Sequence, residues 1–140
     1  GKFLKHFAKN PKNSGEEVHA IMAIAMAASY DPDPKARLGF HMPIDMHTGE
    51  LNQDRWQRWM KHDPVHIVGK YAKNLKSLKL LYLDCGTKDQ YHLHYGARIL
   101  AKKMKTLGIQ HVYEEFDDNH SSIDYRMDRS LPLLAKALKG

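Results

Sequence analysis

The sequence has one cysteine, Cys85, in 140 residues. That excludes an intramolecular disulfide and a zinc site built from several cysteines. No apolar run approaches the roughly 18 residues that suggest a membrane span. No segment is low in complexity, and no repeat recurs at solenoid periods. There is no basic run interleaved with aromatics, the pattern that single-stranded nucleic acid binders use. The chain opens on Gly1 rather than Met, with no apolar signal segment. This reads as a processing or expression boundary, and a cytoplasmic setting is favoured. At 42% hydrophobic and 27% charged residues, the composition excludes disorder and fits one globular domain or part of a larger one.

Lys and Arg number 22 against 16 Asp and Glu, a net charge of +6 with neutral histidines. The excess is spread thinly. Lys2, Lys5, Lys9 and Lys12 recur at helical spacing, and Lys102, Lys103 and Lys105 sit on the outside of another predicted helix. These read as solvated faces. Neither nucleic acid nor membrane is an expected partner.

The first half reads as helices and loops. Phe3, Leu4, Phe7 and Ala8 share a helix face that Asn10-Pro11 ends. Ser14, followed by Glu16 and Glu17, signals a second helix start. Val18 to Ala28 is nearly all apolar, which predicts a helix buried on most sides. Asp31-Pro32-Asp33-Pro34 breaks it. Phe40 to Leu51 reads as a loop or short hairpin turning at His47-Thr48-Gly49-Glu50. Asn52 to Lys61 is a predicted helix with Trp56 and Trp59 on one face. Asp63-Pro64 starts another short helix, Asp at the N-cap and Pro in the first turn.

The character changes near Leu78, which divides the chain into segments 1–77 and 78–140. Leu78 and Leu80 to Leu83 form an apolar run suited to a strand covered on both faces, ended by Asp84-Cys85-Gly86-Thr87. Leu93, Ala97, Leu100, Ala101, Met104 and Leu107 fall at helical spacing, and Gly108 is a helix stop. Ile109 to Phe116 reads as a second strand, and Leu131 to Leu138 as a closing helix with Pro132 in its first turn. Residues 78–116 are therefore a predicted βαβ unit with parallel strands, and the fold class is α/β. Two strands leave edges and faces open, so either another chain completes the sheet or most of the domain lies elsewhere.

Ligands of open α/β sheets bind beyond the carboxyl ends of the strands. Asp89 follows the first predicted strand and His120 the second. A carboxylate beside an imidazole there fixes the ring tautomer and makes the His a general base. The plain alternative is a turn acid and a surface-loop histidine.

The run Leu80-Leu-Tyr-Leu-Asp-Cys-Gly-Thr-Lys-Asp89-Gln resembles the acid loop of α/β-hydrolase esterases. Glu114-Glu-Phe-Asp-Asp-Asn-His120-Ser-Ser-Ile-Asp-Tyr-Arg resembles their histidine loop. Ser130-Leu-Pro-Leu-Leu and Ala25-Met-Ala-Ala-Ser-Tyr-Asp-Pro-Asp-Pro34 are similar to the branch containing S-formylglutathione hydrolases, feruloyl esterases and mycolyltransferases. The resemblance implies the C-terminal part of an α/β-hydrolase sheet, a βαβ unit plus closing helix, preceded by a helical cap-like segment over 1–77. It implies a serine esterase acting on a small ester substrate without a cofactor, with Asp89 as acid and His120 as base. The family's nucleophile is a Ser in a Gly-x-Ser-x-Gly elbow upstream. The serines here are Ser14, Ser29, Ser77, Ser121, Ser122 and Ser130, and none has those glycines. The expectation is that the nucleophile comes from a missing N-terminal half or a second chain, and that this chain alone is a negligible esterase. The alternative is a non-enzymatic binding or scaffold fragment that retains the fold, or a truncation that self-associates through its sheet edge.

Other signals are weaker. The ten histidines include His92-x-His94, whose members point to different faces of a helix, and His41 with Asp45 and His47 in a loop. No metal is expected. Cys85 reads as a small buried hydrophobe, with a thiol nucleophile beside His120 as the weaker option. Trp56, Trp59, Phe40 and Met42 are candidates for pocket lining or for core. Ser14-Gly15 and Asp31–Pro34 read as loop tips open to nicking.

Overall fold

The computed structural model describes residues 2–9 and 15–139. The Asn10-Pro11 stop and the Ser14 start fall outside them, as do the side chains of Phe3, Leu4 and Glu16. The chain divides into two compact units, Gly1–His62 and Asp63–Gly140. The change of pattern near Leu78 is thus a change of secondary structure inside the second unit.

The first unit holds α1 (Lys2–Phe7), α2 (Gly15–Tyr30) and α3 (Gln53–Met60). Asn52 caps α3 by accepting the Arg55 N–H at 3.1 Å. Trp59 is buried and Tyr30 meets it edge-on, with centroids 5.4 Å apart. The burial expected of α2 is not found. Among its described side chains only Ala27 is buried, while Val18, Met22 and Met26 are exposed. An apolar sequence cannot bury itself, and within this unit two short helices and a loop do not surround sixteen residues. Asp31 to Pro34 is no loose tip either. Asp31 is 2% exposed and accepts from Arg55 at 2.6 Å and Arg58 at 2.7 Å. Pro32 also bridges to Phe40. The loop 40–51 closes as the sequence implies. Ile44 bridges to Leu51, the Asp45 carboxylate accepts the His47 and Thr48 N–H groups, and Gly49 takes φ +78.

The second unit holds α4 (Pro64–Ile67), α5 (Ala72–Lys76), β1 (Tyr82–Gly86), α6 (Leu93–Thr106), β2 (Val112–Phe116) and α7 (Met127–Lys139). A 3₁₀ turn over Asp124–Arg126 leads into α7. Asp63 caps α4 and Pro64 is its first residue, as predicted. The two strands pair in parallel across α6, from Tyr82↔Val112 to Gly86↔Phe116. Val68, Met104 and Ile109 form the core, with Leu75, Leu81, Leu83 and Leu100 packed against it. This is a mixed α/β arrangement with a two-stranded sheet.

Three boundaries differ from the sequence reading. β1 begins four residues late and runs through Asp84-Cys85-Gly86, because β2 supplies partners there that outweigh the turn-like residue types. β2 starts at Val112 rather than Ile109, since Ile109 closes α6, its N–H reaching the Met104 carbonyl at 2.9 Å. α7 starts at Met127, so Pro132 lies inside it, where it removes a backbone donor. No helix among the described residues is long and apolar enough to cross a membrane.

Candidate functional site

Asp89 sits in the turn that leaves β1. Its N–H bonds the Gly86 carbonyl at 3.2 Å, which closes the turn. Its side chain points inward and is 1% exposed. Oδ1 accepts the Tyr91 N–H at 2.8 Å and the Leu93 N–H at 3.4 Å, so the acid also tethers the start of α6. Oδ2 faces His120 Nδ1 at 2.8 Å. Burial alone pushes this carboxyl upward. The hydrogen bonds from His120, Tyr91 and Leu93 outweigh it and hold the group below the ordinary carboxylate value. Asp89 is therefore charged at neutral pH.

His120 lies in the loop that leaves β2. With Nδ1 on the acid, Nε2 has no hydrogen-bond partner among the described residues, and the side chain is 47% exposed. A carboxylate at Nδ1 fixes the tautomer with the proton there and leaves Nε2 as the basic atom. The Tyr91 ring meets the imidazole edge-on, centroids 5.2 Å apart at 89°. The loop is tied to its neighbour at several points. The Lys88 N–H bonds the Asp118 carbonyl at 3.0 Å, Lys88 pairs with Asp117 at 2.8 Å, and Gln90 accepts the His120 N–H at 3.0 Å. Among the described residues, two other than glycine have positive φ, His92 at 57° and Ser122 at 56°. Both lie two residues beyond a member of this cluster, Gln90 and His120, in sparsely populated backbone of the kind that collects at functional sites.

The two sequence-predicted site residues thus meet. Their alternative roles are partly real as well, because Asp89 does tether a helix start and His120 is half exposed. Cys85 is half-buried rather than buried, and its thiol lies 3.9 Å from Asp89 Oδ2. Burial, with the carboxylates of Asp89, Glu115 and Asp84, pushes that thiol up, so it stays protonated and a thiolate nucleophile is disfavoured. In the first unit, Phe40 and Met42 line an open depression with Ile44 and Leu51. Trp56 and Trp59 do not; Trp59 belongs to the core. His41 Nε2 pairs with Asp33 at 2.8 Å, while Asp45 is engaged by backbone N–H groups, so the loop residues do not converge. Among the described residues, no three His, Cys, Asp or Glu side chains are grouped to hold a metal.

The sequence reading missed a charged network on one sheet face. Arg126 donates to Asp84 at 2.9 Å and to Glu114 at 3.0 Å, and lies 4.5 Å above the Phe116 ring. Tyr82 donates to Glu114 at 3.0 Å, and Arg129 pairs with Glu114 at 2.9 Å. The Arg129 and Arg126 guanidinium groups and the Tyr82 hydroxyl hold the Glu114 carboxyl down at about 2. Alternation along β1 places Tyr82 and Asp84 on one face, and that is the only sequence signal for it. Arg126 comes from 42 residues away. It anchors the far end of the histidine loop, as Phe116 anchors the near end.

The chain matches no protein-family model and no curated protein.

Proposed function

We propose that Asp89 and His120 are the acid and base of a serine esterase of the α/β-hydrolase kind, and that this chain forms the C-terminal portion of its fold. The observation that carries the reading is the 2.8 Å contact between a buried carboxylate and a half-exposed imidazole. They stand on the loops after two adjacent parallel strands, where α/β proteins place their chemistry. A serine from outside residues 1–140, on preceding chain or on a second polypeptide, completes the triad.

In this mechanism His120 Nε2 takes the serine hydroxyl proton as the oxygen attacks the ester carbonyl carbon. The ring, now protonated at both nitrogens, is stabilised by Asp89. Nε2 returns the proton to the leaving alcohol as the C–O bond breaks, leaving an acyl-serine. Water then attacks the acyl carbon, again giving a proton to Nε2. The serine leaves with that proton, and the carboxylic acid is released.

The test is a fluorophosphonate probe on native material, followed by intact mass under denaturing and native conditions. Labelling of a longer form, or of a polypeptide that travels with this chain, supports the esterase. A lone unlabelled chain in both spectra refutes the two-part enzyme and leaves a binding or scaffold fragment with the same fold.

A further inference from the structure

We infer that Gln90 is the positioning residue that aims His120, an inference that rests on the proposed acid–base role of that pair. His120 carries two N–H groups that can be held from below, one on its backbone and one at ring Nδ1. Consecutive residues accept them. Asp89 Oδ2 meets Nδ1 at 2.8 Å, and Gln90 Oε1 accepts the backbone N–H at 3.0 Å. The other half of the Gln90 carboxamide donates to the Ser121 hydroxyl at 3.3 Å. One amide therefore grips two successive residues of the histidine loop.

The loop needs such a grip because little else holds it at this point. Asn119 N–H bonds the Asp118 side chain at 2.7 Å and Ser121 N–H bonds the Asn119 side chain at 2.7 Å. Both are local bonds that shape the loop without fixing it to the sheet. The bonds from the Lys88 side reach only Asp117 and Asp118. At His120 itself, the link from backbone to scaffold is the Gln90 side chain. The bond at Nδ1 and the edge-on Tyr91 ring hold the imidazole but leave the backbone that carries it unfixed. A second bond at the backbone N–H fixes the residue's Cα and so sets the direction in which Nε2 points. Adjacency in sequence matters as well. Acid and amide ride on the same turn after β1, so any shift of that turn moves both contacts together and preserves the ring's aim.

The experiment uses the full chain, labelled with ¹⁵N, in three forms: wild type, Gln90→Leu and Gln90→Glu. Leucine keeps the bulk and removes both polar contacts. Glutamate keeps the acceptor for the His120 N–H. The expected result is a slowly exchanging Nδ1–H resonance and a protected His120 amide in the wild type. In Gln90→Leu the ring resonance broadens or vanishes and the amide exchanges about tenfold faster, the effect of one lost hydrogen bond. Met104 and Ile109 amides stay unchanged, which separates positioning from unfolding. Gln90→Glu restores the amide protection. In the completed hydrolase, Gln90→Leu lowers kcat with KM nearly constant, because ring aim matters in the transition state rather than in substrate binding. Unchanged His120 signals in Gln90→Leu overturn the inference even where serine-probe labelling succeeds. The spectral result stands by itself where labelling fails, so the two ideas fail separately.

Discussion

Replacing Gly86 with alanine is expected to move the histidine loop. A Cβ at Gly86 overlaps the Asp118 carbonyl oxygen and lies 2.8 Å from the Asn119 carbonyl oxygen. Both are backbone atoms, so no side-chain rotation relieves the contact. Ordinary van der Waals distance at Asn119 requires a retreat of at least about 0.6 Å, and more at Asp118. The Asp118 oxygen also accepts the Lys88 N–H at 3.0 Å, a bond that stretches with the move. His120 follows Asn119 directly and is carried along. A displacement on the order of 1 Å takes the ring from hydrogen-bond distance of Asp89 to beyond it. The stability cost is about 1–3 kcal/mol, as for other methyl groups forced into closed packing. In a completed hydrolase, the misplacement costs up to about 100-fold in turnover. Urea unfolding followed by circular dichroism gives the first quantity, and ¹⁵N spectra of the His120 ring give the displacement. An unchanged urea midpoint together with unchanged ring signals refutes the reasoning.

In that hydrolase, His120→Ala abolishes ester turnover, and Asp89→Asn lowers kcat by about 10⁴-fold through the wrong tautomer. Near-normal initial rates in both variants sink the assignment. In the first unit, Asp31→Ala strands Arg55 and Arg58 and costs about 1–3 kcal/mol, discounted because both guanidinium groups reach solvent; differential scanning calorimetry reads it. Burial raises the Asp31 carboxyl, but bonds from Arg55 and Arg58 bring it below 3.8 overall. Its contribution to stability is therefore complete above that pH and fades as pH falls toward the lower folded value. An acid-unfolding curve of Asp31→Asn that matches the wild type contradicts this. Burial, with Glu114 and Asp84, pushes the Tyr82 phenol up to about 12. Its share of stability is full below pH 10, the ordinary phenol value, and is lost as pH rises toward the folded value. Absorbance titration against a Tyr82→Phe reference should show this late ionisation, moving back toward 10 in Glu114→Gln.

The candidate pair was legible because its signal is topological. A loop acid after one apolar run and a loop histidine after the next must emerge at the same end of parallel strands. Gln90 and Arg126 were not legible in the same way, since each acts on a partner about 30 to 40 residues distant and neither belongs to a periodic pattern. The helix positions Ala97, Leu100, Ala101, Met104 and Leu107 followed their spacing, but Leu93 is 50% exposed and His94 is buried in its stead. β1 did not, because Asp84 reads as a breaker until Arg126 and Tyr82 satisfy its carboxylate. α5 is five residues long, too short for periodicity to announce it. The misjudged burial of α2 has a simpler cause: apolarity reports what a helix prefers to touch, not what is there to touch it.

The parallel register from Tyr82↔Val112 to Gly86↔Phe116 makes the imidazole a gauge of strand alignment. A slip of one residue moves the end of β2 by about 3.3 Å along β1 and turns each of its side chains to the opposite face. No loop rotation returns His120 to a buried carboxylate from there. A slowly exchanging ring proton at His120 therefore certifies, in one resonance, that both strands have paired correctly along their whole length.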